Sequence, residues 1–292
     1  MTTQKIVPHL WFNKEAIEAA EFYTAVFPNS KITHKSIIKN TPSGDCDIVG
    51  FRIMGFNLMS ISAGPYFKIN PSISFTINCK TKKEVDEFFE KLSGEGKVLM
   101  PLDKYQFSER YAWVTDKYGV SWQLILVNQK NTKLPKIVPS LLFVRDKFGK
   151  AEEAMNFYLS VFKNSKKGNL IHYAKGQEPN VEGTVMIEEF MLENVWLIAM
   201  DGALEHNFTF NEAVSFMVNC KNQEEIDYYW EKLSTVTESE QCGWLKDKYG
   251  ISWQIIPQNM GKLMSKNPSK TTPAMLKMKK IIIDDLEKAG NK

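Results

Sequence analysis

The chain has 292 residues, enough at about 150 residues per domain for two compact cores. With 43% hydrophobic and 24% charged residues it reads as a packed globular protein, which excludes disorder over most of its length. No apolar run approaches the roughly 18 residues of a membrane span, and the opening MTTQKIVPHLWF lacks the charged head and apolar stretch of a signal peptide. A soluble, cytoplasmic protein without a membrane partner is therefore expected. The four cysteines, Cys46, Cys79, Cys220 and Cys242, contain no C-x-x-C pair and are expected to be reduced. Residues 1–135 carry 17 basic and 13 acidic side chains, residues 136–260 carry 12 and 18, and residues 261–292 carry 8 and 3. Neither of the first two segments is dense enough for nucleic acid, while their opposite signs favour one half docking on the other.

In chain order, residues 5–12 alternate as a short strand, with Val7, His9 and Trp11 on one face and Pro8, Leu10 and Phe12 on the other. Residues 15–27 place Ala16, Ala20, Tyr23 and Phe27 at helical spacing. Strand-like runs follow at 32–38, 48–54 and 58–61, the last two separated by the turn residues Gly55 and Asn57. The pattern then restarts: residues 72–78 form a strand, Thr81 with Glu84 forms a capping box, and Val85, Phe88, Phe89 and Leu92 make the buried face of a helix. Strands near Val98, at 111–115 and at 120–127 close the unit, with a turn at 116–119. The predicted half-domain is βαβββ.

The whole pattern then returns. KIVPHLWF at 5–12 recurs as KIVPSLLF at 136–143, and FYTAVFPNSK from Phe22 as FYLSVFKNSK from Phe157. SISFTINCK from Ser72 recurs as AVSFMVNCK from Ala213, and WVTDKYGVSWQLI from Trp113 as WLKDKYGISWQII from Trp244. This is a duplicated domain, its period near 131 being far too long for a solenoid repeat. Fifteen residues separate Leu92 from Ser108 but only five separate Leu233 from Ser239, so the second copy has lost most of a hairpin there. The expected division is a first domain at 1–127, a linker at 128–135, a second domain at 136–257, and a tail at 258–292. In the tail, residues 258–272 read as a linker, and Pro273 opens an amphipathic helix with Met275, Met278, Ile282, Leu286 and Ala289 on one stripe.

Paired βαβββ units, the opening VPHLWF with its FYTAVFPNSK helix, and the closing DKYGVSWQLI resemble the vicinal oxygen chelate superfamily of glyoxalase and bleomycin-resistance proteins. Within it the chain is similar to the PhnB-like group, often labelled 3-demethylubiquinone methyltransferase-like. The resemblance covers nearly the whole chain and implies an α+β fold of tandem glyoxalase-like domains, in each of which two modules share a curved mixed sheet around a cleft. It also implies that the two domains pack as an intramolecular pseudo-dimer.

Members of that superfamily with chemistry hold a divalent metal through a histidine on the first strand, a histidine on the strand opening the second module and a glutamate on the last strand. By this resemblance the first-domain positions are His9, Ser72 or Ser74, and Gln123, and the second-domain positions are Ser140, Ala213 or Ser215, and Gln254. His9 and Gln123 are thus the sole metal candidates, and a serine and a neutral amide are poor ligands for zinc or iron. No metal and no other cofactor is expected. The sequence also has no G-x-G-x-x-G after a strand, no P-loop, no H-E-x-x-H and no G-x-S-x-G, so nothing in it anchors a methyltransferase or hydrolase reaction.

The resemblance implies that His9 and Gln123 face one cleft together, as a polar pair that orients a ligand or as a histidine simply bonded to a glutamine. Trp11, Tyr105 and Phe107 are the candidate aromatic walls, and Trp122, which alternates away from Gln123, is core. The reading is a small organic ligand bound in the first-domain cleft without established catalysis. The alternatives are a metal-dependent lyase, dioxygenase or transferase with degenerate ligands, and a protein-interaction scaffold. His34, His172 and His206 are expected on exposed strands or loops.

Overall fold

The computed structural model describes residues 4–128 and 134–291. The period-two and helical stretches become four successive modules. The first comprises β1 (Ile6–Phe12), α1 (Ala16–Val26), β2 (Lys31–Thr41), β3 (Gly44–Ile53) and β4 (Phe56–Ser62). The second comprises β5 (Ile73–Cys79), α2 (Lys82–Ser93), β6 (Lys97–Tyr105), β7 (Ser108–Thr115) and β8 (Ser121–Leu126). The third has β9 (Ile137–Phe143), α3 (Ala151–Val161), β10 (Ser165–His172), β11 (Val185–Leu192) and β12 (Val195–Asp201). The fourth has only β13 (Val214–Cys220), α4 (Gln223–Leu233), β14 (Trp244–Lys246) and β15 (Ser252–Pro257), so it is βαββ where βαβββ was expected. The ten missing residues cost it the counterpart of β6 and leave β14 only three residues long.

Two βαβββ-type modules do share each mixed sheet, but the partners come from opposite halves of the repeat. The first sheet runs β14-β15-β13-β1-β4-β3-β2, and the second runs β10-β11-β12-β9-β5-β8-β7-β6. The joins are antiparallel: β1 pairs with β13, opposing His9 to Ser215, and β5 pairs with β9, opposing Ser74 to Ser140. The expectation that residues 5–12 and 120–127 lie in one sheet is therefore corrected, since β1 and β8 belong to different sheets. The reason lies in the core. Trp122 of β8 packs its ring 5.3 Å from Tyr23 and 5.1 Å from Phe27, and Phe27 lies 5.1 Å from Phe88 of α2. The two modules of one half thus meet through their helix-covered faces, which leaves the edges of β1 and β5 free to pair with the other half.

Cross-half ion pairs fasten these joins at equivalent places. Lys5 meets Glu225 at 2.9 Å, and Lys136 meets Glu84. Glu84 and Glu225 are also the third helical residues of capping boxes, in which Thr81 Oγ1 and Asn222 Oδ1 accept from Glu84 N and Glu225 N. Each half ends on a DKYG turn whose aspartate organises the last strand. Asp116 Oδ1 accepts from the backbone of Tyr118 and Val120, and its Oδ2 accepts from the Trp122 indole at 2.8 Å. Asp247 does the same for Tyr249, Ile251 and Trp253, and additionally accepts from the Tyr158 hydroxyl at 2.7 Å.

The tail differs from the expected linker and single helix. It forms three short helices, α5 (Met260–Lys266), α6 (Pro268–Leu276) and α7 (Ile283–Gly290). Pro268 starts α6, where a missing N–H costs nothing, and Pro273 falls inside it. Leu263, Met275, Ile281 and Leu286 form their own small core, which explains why the apolar stripe is real although the helix is broken after Leu276. The linker assigned to 128–135 lies largely outside the described residues.

Candidate functional site

The module helices α1 to α4 pack against one face of the sheets, and the face opposite carries none of these four. In β1, Ile6, Leu10 and Phe12 enter the core, so Val7, His9 and Trp11 lie on the opposite face as alternation requires. Register then extends that face. Ser215 stands opposite His9 and Met59 of β4 lies on its other side, while Gln254 of β15 and Trp244 of β14 lie in the neighbouring row with Val7 and Met217.

His9 is 3% exposed, and its Nδ1 is buried without a hydrogen-bond partner. Burial alone drives its pKa down to about 3, so the imidazole is neutral at physiological pH. Its surroundings are aromatic edges: Trp244 meets the His9 ring at 5.7 Å and the Trp11 ring at 5.9 Å, both T-shaped. Trp11 is anchored by its indole, which donates to Gly64 O at 2.8 Å, and is flanked by Phe67 at 5.1 Å. Gln254 Nε2 donates to Ser215 Oγ at 3.0 Å beside this group.

The corresponding face of the second sheet is internally satisfied. Gln123 Nε2 donates to Ser74 Oγ at 2.8 Å and its Oε1 accepts from Tyr111 at 2.9 Å, while Thr76 and Ser140 share a hydroxyl bond of 2.7 Å. Tyr105 and Phe107 stack at 5.6 Å and both edge onto Tyr111, and Phe107 is 60% exposed. They line an open groove of about 530 Å³ with Leu126 and Val127 at the tip of the β6–β7 hairpin, on the other sheet from His9.

The five residues singled out from sequence are therefore divided. His9 and Trp11 remain together, Gln123, Tyr105 and Phe107 remain together, and the pairing of His9 with Gln123 does not occur. The partners that sequence reasoning passed over are Trp244, Ser215 and Gln254. Their signal was the repeat itself, because Trp244 and Gln254 occupy the places of Trp113 and Gln123. The missing hairpin strand belongs to the sheet that holds His9, whereas the aromatic wall belongs to the sheet that holds Ser140.

The family model described as 3-demethylubiquinone-9 3-methyltransferase matches the chain twice, over residues 4–125 and 135–256. The chain belongs to that family. A PhnB protein from Bacillus cereus is 39% identical over 42% of this chain and 100% of its own, with a TM-score of 0.40. Protein YjdN of Escherichia coli (strain K12) is 26% identical over 108 residues, which are 37% of this chain and 64% of YjdN, so the match spans less than two thirds of that relative. A glyoxalase I mutant from Zea mays, 14% identical over 88% of this chain and 95% of its own, has a TM-score of 0.54 and shares the fold.

The metal of the glyoxalase fold does not suit the donors found here. Beside His9 stand the Ser215 hydroxyl and the Gln254 amide bonded to it, and beside Ser140 stand Ser74, Thr76 and the Gln123 amide. Among the described residues no cluster of three or more His, Cys, Asp or Glu side chains is placed to hold an ion. One imidazole with neutral hard oxygens is a weak set for zinc, nickel or iron.

Proposed function

We propose that this member of the family binds a small, largely apolar molecule bearing a hydroxyl group on the face of the first sheet opposite its module helices, with His9 as its polar anchor. The observation that carries the reading is the unsatisfied His9 Nδ1, buried among the edges of Trp11 and Trp244. A buried nitrogen without a partner costs about 1–3 kcal/mol, which a ligand hydrogen bond restores. A hydroxyl both donates and accepts, so it serves either tautomer of the neutral ring. Met59, Trp11 and Trp244 supply the apolar contacts, and Gln254 and Ser215 a second polar point. The equivalent positions around Ser140 in the second sheet are hydrogen-bonded to one another, since Gln123 uses both ends of its amide and Ser140 bonds Thr76. The site is thus built from both halves of the chain.

The test uses substituted phenols and hydroquinones, with their O-methyl ethers as controls, read by thermal shift and by tryptophan fluorescence. A hydroxyl compound at 100 times its dissociation constant adds about 2.7 kcal/mol to stability, and its ether adds far less. His9→Phe should abolish the difference while Ser140→Ala leaves it unchanged. Equal binding of phenol and ether, or undiminished binding by His9→Phe, would show that His9 is not the anchor.

A further inference from the structure

The tail lies where the fourth module lacks its hairpin strand. The backbone N–H groups of Cys242 and Gly243, immediately before β14, donate to the carbonyls of Met278 at 2.8 Å and Lys279 at 2.7 Å. Gln241 Nε2 donates to Leu276 O at 2.7 Å, Cys242 Sγ lies 3.5 Å from Met275 O, and Lys280 pairs with Asp227 of α4 at 2.5 Å. At the same time α6 packs against β2, the opposite edge of the same sheet. A flat sheet of seven strands would hold its edges about 29 Å apart at ~4.8 Å per strand. The nine residues of α6 span only about 13 Å. One helix reaching both edges means that the sheet curls and that α6 bridges its mouth, on the side where His9 and Trp244 lie. The residue after the two held N–H groups is Trp244, whose ring edges onto His9.

We propose that the tail, residues 258–290, is a lid that completes the His9 site, and that solutes reach His9 only when the tail separates from β2 and from the turn at Gln241–Gly243. The docked tail holds Trp244 against His9, so opening releases the ring that covers the imidazole. The class of ligand rests on the reading of His9 given above, but the gate does not, because access to His9 can be measured without a ligand.

Two chemical probes report the two ends of the motion in the intact protein. Diethyl pyrocarbonate acylates neutral histidine, located by mass spectrometry, with His34, His172 and His206 as internal references. Iodoacetamide alkylates Cys242, which lies under the tail. In the unaltered protein both rates should rise with one common dependence on sub-denaturing urea. Met275→Asp, which puts a charge into the small core of the tail, should speed both by roughly tenfold or more while the reference histidines keep their rates. Separate urea dependences for His9 and Cys242, or fast Cys242 labelling in Met275→Asp with His9 unchanged, would overturn the lid. A gated His9 that binds no phenol would refute the ligand reading alone, and phenol binding at an ungated His9 would refute the lid alone.

Discussion

Glu188 of β11 offers the sharpest energetic test of this fold. Pairing of Ser140 with Ile198, and of His9 with Met59, aligns the two halves so that Glu188 stands where the first half has the core residue Val49. It is 1% exposed and its Oε2 has no partner. Burial, reinforced by repulsion from Glu152 and Asp201 and relieved in part by Lys167 and His172, raises its pKa from 4.5 to about 7. At 1.36 kcal/mol per pH unit, that displacement amounts to ~3 kcal/mol between the acid and the fully ionised forms. The folded state holds this proton more tightly than the unfolded chain does. The carboxyl's contribution is therefore fully present below pH 4.5 and is lost as pH rises through about 7. Glu188→Gln removes the titration while keeping the shape. Urea unfolding at intervals from pH 4.5 to 8 should find the two proteins alike at the acid end and the variant more stable by up to ~3 kcal/mol at the alkaline end. Glu188→Val, copying the first half, should follow the variant's profile. Parallel profiles for parent and Glu188→Gln would mean that the carboxylate is solvated or paired in the folded protein, and the argument would fail.

His9 acts with the opposite sign: its pKa is depressed to about 3, so its stabilisation is present above 6.5 and lost as pH falls toward 3, and His9→Phe should flatten the acid limb of the urea profile. Asp116→Asn and Asp247→Asn each turn an amide N–H₂ toward a tryptophan N–H or two backbone N–H groups, at about 1–3 kcal/mol. Asp247→Asn should show the larger drop in melting temperature, because the Tyr158 hydroxyl donates to Asp247 at 2.7 Å, whereas Tyr23 faces Asp116 at the equivalent place in a poorer hydrogen-bond geometry. Gly243→Ala should cost about 1–2 kcal/mol, and should speed alkylation of Cys242, because Gly243 has φ +88° and an added Cβ would lie 3.0 Å from Ile255 O and 3.1 Å from Ile281. A melting temperature and labelling rate equal to the parent's would show that the turn beneath the tail carries no such constraint.

Much of the site was within reach of the sequence, and its assembly was not. Alternation along KIVPHLWF placed Val7, His9 and Trp11 on one face, and that is the face turned away from the module helices. The shortened spacing between Leu233 and Ser239 located the lost hairpin strand to within a few residues. What misled was the inference that His9 must share a cleft with Gln123, Tyr105 and Phe107 because they share a half. The tail was misread for a local reason: a Lys, Ser, Asn and Pro-rich run reads as linker, yet it is helical here because Leu263 and Met275 have Ile281 and Leu286 to pack against.

The sequence by itself determined the four modules, all their strands and helices except in the shortened fourth, the capping boxes, the DKYG turns and the buried faces, because each of these depends on neighbours a few residues apart. Only the tertiary structure decided which module joins which. β1 and β9 carry nearly the same residues, KIVPHLWF and KIVPSLLF, and a backbone ladder does not distinguish them, so either could pair with β5 or with β13. The choice falls to long-range packing: Trp122 against Tyr23 and Phe27 turns the modules of one half face to face, and Lys5 and Lys136 reach carboxylates of the opposite half. That choice puts His9 beside Ser215, Gln254 and Trp244, in the sheet whose missing strand leaves room for the tail.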